Sequence, residues 1–219
     1  MKQIELKALA KINLGLDVLG RRENGYHDVR MVMQSIYLYD EVKLEKTAEP
    51  GITTVSNLSF LPTGDGNIAY KAARLLQEEF QIAEGIKITL NKHIPVAAGL
   101  AGGSSNAAAV LFGMNRMFRL GLSQKDLMDR GVRLGADVPY CIMRGTVLAE
   151  GIGEKLSVLP AMPKCTVLIA KPPVSVSTKV VYEALDAKEI TEHPDIDGII
   201  EGLKNNSLSL IHISEPTRP

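Results

Sequence analysis

From Ile94 to Asn115 the chain carries no charged side chain, and alanine, glycine and serine fill eleven of the fifteen positions from Pro95 to Ala109. A stretch of this kind suits three structures: a membrane span, a helix crossing packed through small residues, or a backbone cradle for an anion. The span is disfavoured at its centre, where Ser104, Ser105 and Asn106 stand in place of Leu, Ile and Val, with no cluster of Lys or aromatic anchors at the flanks. The other two remain open. Before the stretch, Ile86, Ile88 and Leu90 alternate with Lys87, Thr89 and Asn91, the period of a strand. After it, a helix is expected from about Ser104 through Ala107, Val110, Leu111, Met114 and Phe118. A helix start leaves backbone N–H groups unpaired and partially positive, and Gly99, Gly102 and Gly103 let that backbone approach a phosphate. No Gly-Lys-Ser/Thr follows, so this is not a Walker A loop, and the spacing fails for GxGxxG.

Balanced charge (25 Lys and Arg against 25 Asp and Glu) gives no electrostatic reason to expect nucleic acid or an anionic membrane as partner. A small molecule fits better. Two cysteines, Cys141 and Cys165, without a CxxC pair, argue against a disulfide framework or zinc site, and the first residues lack the apolar run of a signal peptide. A cytoplasmic location is expected.

Strands before helices in mixed order indicate an α+β fold. Ile12, Leu14, Leu16 and Val18 alternate as a half-buried strand, which puts Lys11 and Asn13 on one face. Extended runs are expected over 29–38 and 41–45, then a helix capped by Asn67 with Ile68, Ala72, Leu75, Leu76 and Phe80 on one face. Ser123 and Asp126 form a capping-box pattern opening a third helix that Gly135 closes. The next turn, Gly-Ala-Asp-Val-Pro, is read as leading into short strands over 140–143 and 146–149. A strand over 165–170, a helix capped by Ser177 or Thr178 carrying Val181, Tyr182 and Leu185, and a helix over 196–203 complete the pattern, with a domain boundary near Leu159.

Taken singly, the polar candidates have ordinary explanations. Lys11 and Asn13 would serve a solvated face, Asp137 a turn-capping carboxylate, and Gly25-Tyr26-His27 a loop packed at its base.

Together they are more specific. AKINLGLDVLG, PVAAGLAGGSSNAAA and LGADVPYC occur in the order and approximate spacing of the GHMP kinases, the superfamily of galactokinase, homoserine kinase and mevalonate kinase. RRENGYHDV followed by Asp40, and PPVSVSTKVVYEAL, resemble its diphosphocytidyl-methylerythritol kinase family of the non-mevalonate isoprenoid pathway. The resemblance runs from Met1 to about Asn206. It implies a two-domain fold: a ribosomal-protein-S5-like N-terminal domain over 1–159 and an incomplete ferredoxin-like C-terminal domain over 160–207. It also implies transfer of the γ-phosphoryl of ATP to the 2-hydroxyl of 4-diphosphocytidyl-2-C-methyl-D-erythritol, with Asp137 as catalytic base and Lys11 as the cation beside it. Pro95, Val96, Ala97, Ala98, Gly99, Leu100, Ala101, Gly102, Gly103, Ser104 and Ser105 would wrap the ATP phosphates. Asn13, Tyr26 and His27 match positions that hold the cytidyl substrate. Magnesium is expected with the nucleotide, its protein ligands unassigned beyond a hydroxyl at Ser105. Many members have glycine where this chain has Ala97 and Ala101, so backbone tolerable to a Cβ is expected there. The superfamily's glycine-rich segment near the natural C-terminus is not among these residues.

Two other readings stand beside it: a GHMP kinase for a mevalonate-type alcohol, against which Gly25-Tyr26-His27 argues, and a nucleic-acid-binding domain, against which the neutral charge argues. The last residues, LSLIHISEPTRP (Leu208 to Pro219), resemble the translation of a transposon-based sequencing adapter. Native sequence is expected to continue past about Asn206, and the tail, His212 included, is excluded from fold reasoning.

Overall fold

The computed structural model describes residues 1–171, 178–186 and 192–207; Ser177 and the adapter-like tail lie outside them. The chain gathers into two compact units that interleave in sequence: residues 1–10, 37–96 and 101–143 in the first, 11–36, 97–100 and 144 onward in the second.

β1 (Gln3–Arg21) pairs with β2 (His27–Thr47), and each of these strands contributes residues to both units. The two expected runs over 29–38 and 41–45 are thus a single strand, and its alternation passes through Asp40 to the buried Val42 and Leu44. A parallel pair, β3 (Ile52–Ser56) and β4 (Gly85–Asn91), is connected through α1 (Ile68–Glu79), the crossover that parallel strands require. The antiparallel β2–β4 register sets Val42 opposite Leu90 and Leu44 opposite Ile88, so apolar side chains meet on the inner face.

Asn67 caps α1 as expected, its side chain accepting from the Ala69 amide at 2.9 Å. The buried stripe is Ala69, Ala72, Ala73 and Leu76, with Leu75 and Phe80 only half-buried. Small residues also dominate the buried face of α2 (Gly102–Phe118), where Ala107, Val110, Leu111 and Met114 are sealed from water. A Cβ at Gly113 would fall 2.5 Å from Leu44 Cδ1 and 2.9 Å from Leu6 Cδ1, so glycine there permits close approach of helix and strands. Tight packing explains the later half of the uncharged run. Among the described residues no helix is long and apolar enough to cross a membrane.

The Ser123–Asp126 capping box opens α3 (Gln124–Val132). Residues 140–143 are not a strand; they belong to α4 (Val138–Met143), and Gly-Ala-Asp-Val-Pro joins two helices. Proline is tolerated in a first helical turn, where its missing N–H costs nothing, and the Asp137 carbonyl accepts from the Cys141 amide at 3.0 Å.

Arg130 of α3 grips Glu79 of α1, its Nε donating to Oε2 at 3.0 Å. The guanidinium's hydrogen bond holds the Glu79 carboxyl below its ordinary value of 4.5. A depressed folded-state value means the contribution is present above that value and is lost as pH falls through the folded one. Arg130→Met is therefore expected to cost about 0.5 kcal/mol at pH 7 after solvent screening, and the share owed to the ion pair is expected to shrink as pH falls from 7 through the folded-state value. Melting temperatures of both proteins across that range check it.

In the second unit, β2 pairs antiparallel with β5 (Thr146–Gly151), Val29 opposite Gly151 and Gln34 opposite Thr146. A hairpin adds β6 (Lys155–Val158). The helices α5 (Thr178–Asp186) and α6 (Ile196–Lys204) lie where helices are expected, with Thr178 as the first residue of α5. Ile196, Ile199, Ile200 and Leu203 of α6 form the core with Leu14 and Val32. Asp195 caps α6 through the Gly198 amide at 2.8 Å, and Arg30 holds Asp197 at 2.6 and 2.9 Å, keeping its carboxyl below the usual carboxylate range. The strand expected over 165–170 is absent: Leu168 is 93% exposed, and no strand among the described residues pairs with the segment. An apolar run becomes a strand only where a ladder receives it.

Candidate active site

Lys11 is buried, which a solvated face would not produce. Its Nζ donates to Asn13 Oδ1 at 3.2 Å, as expected for residues two apart on one strand face. Its backbone N–H donates to the Leu100 carbonyl at 3.2 Å, tying this part of β1 to the glycine-rich loop.

The loop itself is open. Pro95, Val96, Ala97 and Gly99 are exposed, while Leu100 is buried as an anchor. Contrary to expectation, neither alanine sits in backbone that favours a Cβ: Ala97 has φ 53° and Ala101 φ 55°, both left-handed, like Gly99 at 69°. Each residue with a Cβ costs about 1–2 kcal/mol there, so the surroundings must impose the turn. Ala101 is the N-cap of α2 and offers no side-chain cap, and the first turn has no acidic residue. The helix starts at Gly102, earlier than Ser104. Its leading N–H groups thus keep the positive character that suits an anion. Gly103 is exposed and Ser104 half-buried, whereas Ser105 is 3% exposed. A buried hydroxyl fits poorly as a metal ligand, and no group of three His, Cys, Asp or Glu among the described residues could hold a metal ion.

The turn before β2 is fixed by Arg22, whose Nε and Nη2 bind the Asp28 carboxylate at 3.0 and 2.5 Å, and by the Arg22 amide donating to the Tyr26 carbonyl at 2.7 Å. This displays Tyr26, 59% exposed, and buries the His27 ring, whose Nε2 lies 2.6 Å from Asp186 Oδ1 of α5. Asp137 is half-buried between α3 and α4. Lys11, Asn13, Tyr26, His27 and residues 97–100 lie in the second unit; Pro95, Val96, Ala101 to Ser105 and Asp137 lie in the first.

Sequence reasoning did not find the buried group at Asp40, Lys92 and Asn106. The Asp40 carboxylate accepts from the His93 amide at 2.7 Å, the Ile94 amide at 2.8 Å, Asn106 Nδ2 at 2.9 Å and the Lys92 ammonium. A signal was present. Asp40 lies in phase with Val42 and Leu44, and Lys92 in phase with Ile86, Ile88 and Leu90, so period-2 alternation aims both charges inward.

The class is set by the family match: residues 67–145, which hold the uncapped start of α2 and the strand β4 before it, match the GHMP kinases N terminal domain. The chain is similar to 4-diphosphocytidyl-2-C-methyl-D-erythritol kinase of Lachnospira eligens, 59% identical over 211 residues, covering 96% of this chain and 73% of that protein. The same enzyme of Lachnoclostridium phytofermentans is 59% identical over 208 residues, covering 95% and 72%. A crystal structure of 4-(cytidine 5'-diphospho)-2C-methyl-D-erythritol kinase superposes with TM-score 0.74 at 31% identity, over 93% of this chain and 72% of that one. A homoserine kinase from Cytophaga hutchinsonii, 22% identical with TM-score 0.68 over 100% of this chain and 74% of that one, shares the fold. The chain belongs to the 4-diphosphocytidyl-2-C-methyl-D-erythritol kinase family, phosphotransferases of the GHMP class acting on an alcohol.

Proposed function

We propose that this chain transfers the γ-phosphoryl group of ATP to the 2-hydroxyl of 4-diphosphocytidyl-2-C-methyl-D-erythritol through the residues its sequence singles out. The supporting observation is Lys11: a buried ammonium on a strand whose backbone bonds directly to the glycine-rich loop. Residues 95–105 receive the nucleotide's phosphates on backbone N–H groups. Asp137 accepts the hydroxyl proton, the freed oxygen attacks the γ-phosphorus, the bond to the β-phosphate oxygen breaks, and ADP leaves. Lys11 steadies negative charge on the moving group. Neither residue forms a covalent bond. Magnesium would arrive on the nucleotide, whose phosphate oxygens would supply most of its ligands, and would neutralise phosphate charge there. A small-molecule partner and a cytoplasmic location belong to the same proposal.

On the substrate side, Tyr26 stacks on cytosine, Asn13 and His27 supply polar contacts, and Asp186 steadies the His27 ring. Tyr26→Ala tests this cleanly, because a side chain 59% exposed adds little to the fold. It is expected to raise KM for the cytidyl substrate by about fivefold to a hundredfold, the value of one base stacking on an aromatic ring, and to leave KM for ATP unchanged. Steady-state kinetics with each substrate varied in turn decide it. An unchanged cytidyl KM would remove Tyr26 from the site.

A further inference from the structure

We propose that Asp40 is a positioning residue for the nucleotide loop, holding the two ends of residues 95–101 through a buried network with Lys92 and Asn106. The proposal rests on the phosphate-loop reading above. Asp40 is fully buried, Lys92 9% and Asn106 2% exposed. Oδ1 of Asp40 accepts from two successive backbone amides, His93 and Ile94, the last residues before the loop. Oδ2 accepts from Asn106 Nδ2, in the second turn of the helix that follows the loop, and from the Lys92 ammonium. Lys92 Nζ in turn donates to Asn106 Oδ1 at 2.7 Å, closing the network. One carboxylate therefore spans the loop's entry and its exit.

The helix start presses on the same group: a Cβ at Gly102 would lie 3.1 Å from Ile94 Cγ2 and 3.2 Å from Lys92 Nζ. Stability alone does not call for charges here, since a buried ion pair is commonly matched or bettered by apolar residues of similar size. Directional bonds to two consecutive amides do what apolar packing cannot: they set where the strand ends and the loop begins. The loop has need of such a frame, because Ala97 and Ala101 are both held in left-handed backbone. A cradle made of N–H groups binds phosphate only while those groups point at it.

The double variant Asp40→Leu/Lys92→Met removes both charges together and so leaves no orphan ion. ADP binding is measured by calorimetry well below the melting temperature, beside hydrogen exchange at the Ile94 amide. A purely structural role would lower the melting temperature without changing the affinity of the folded protein. A positioning role is expected to weaken ADP by about tenfold or more and to speed Ile94 exchange by a similar factor, the equivalent of one lost charge-assisted hydrogen bond. ADP affinity within twofold of wild type in the folded variant overturns the proposal. Should the double variant fail to fold, Asn106→Ala keeps the ion pair and is expected to weaken ADP by about threefold or more; unchanged affinity there overturns it equally. Wild-type protein that binds no ADP overturns the phosphate-loop reading itself, and the positioning role with it, before any variant is compared.

Discussion

Asp137→Asn is expected to lower the rate of phosphoryl transfer by roughly 10²- to 10⁴-fold, the usual worth of a positioned general base, while binding of the cytidyl substrate stays within a few fold. Asparagine has the same shape but no lone pair basic enough to take the hydroxyl proton. The fold should not register the change. Asp137 is built into the helix junction through its backbone carbonyl, bonded to the Cys141 amide, and that bond survives in the variant. Single-turnover measurement of ADP formation, paired with calorimetric titration of the substrate, separates chemistry from binding. Turnover unchanged in Asp137→Asn would take this residue out of the mechanism; lost binding would make it a substrate ligand instead.

Asp40→Ala alone is expected to be the most destabilising of the substitutions considered. It leaves the Lys92 ammonium buried without its counter-charge and strips acceptors from two backbone amides. Removing one partner of a buried pair typically costs about 3–5 kcal/mol. For a chain of 219 residues that corresponds to a melting temperature lower by roughly 6–20 °C. Thermal unfolding followed by circular dichroism checks it, with Asp40→Leu/Lys92→Met as the comparison. The double variant should recover much of the loss. A single-variant shift below about 2 °C would mean that the pair is not sealed from water as described.

Much of the fold was legible where one periodicity dominated. Ile86, Ile88 and Leu90 announced β4, the capping box announced α3, and Asn67 announced α1. Legibility failed where a tertiary contact decides. Tyr140 to Met143 have strand-like composition, yet Pro139 in a first turn and the Cys141 bond back to Asp137 make them helical. Residues 165–170 read as a strand, but a strand exists only when paired. Of the two meanings left to the uncharged stretch, Gly113 with its alanine neighbours shows the packed crossing, and the uncapped helix start at Gly102 is the place where the cradle is proposed.

The residues proposed for the site stand out by motif and not by physics residue by residue. A lysine in a strand is ordinarily a surface group, and only its neighbours in three dimensions reveal that Lys11 is buried. Left-handed backbone at Ala97 and Ala101 was hidden because alanine says nothing of φ, whereas glycine would have advertised it. Asp40 and Lys92 could have been found, since a charge in phase with buried aliphatics on a strand requires a partner.

Substrate identity is tested most directly by ADP release from ATP by this 219-residue chain with 4-diphosphocytidyl-2-C-methyl-D-erythritol or with mevalonate as acceptor. ADP release that depends on the cytidyl alcohol and is absent with mevalonate is the expected result. Equal or faster release with mevalonate, or none with the cytidyl alcohol while both it and ATP are bound, would contradict it.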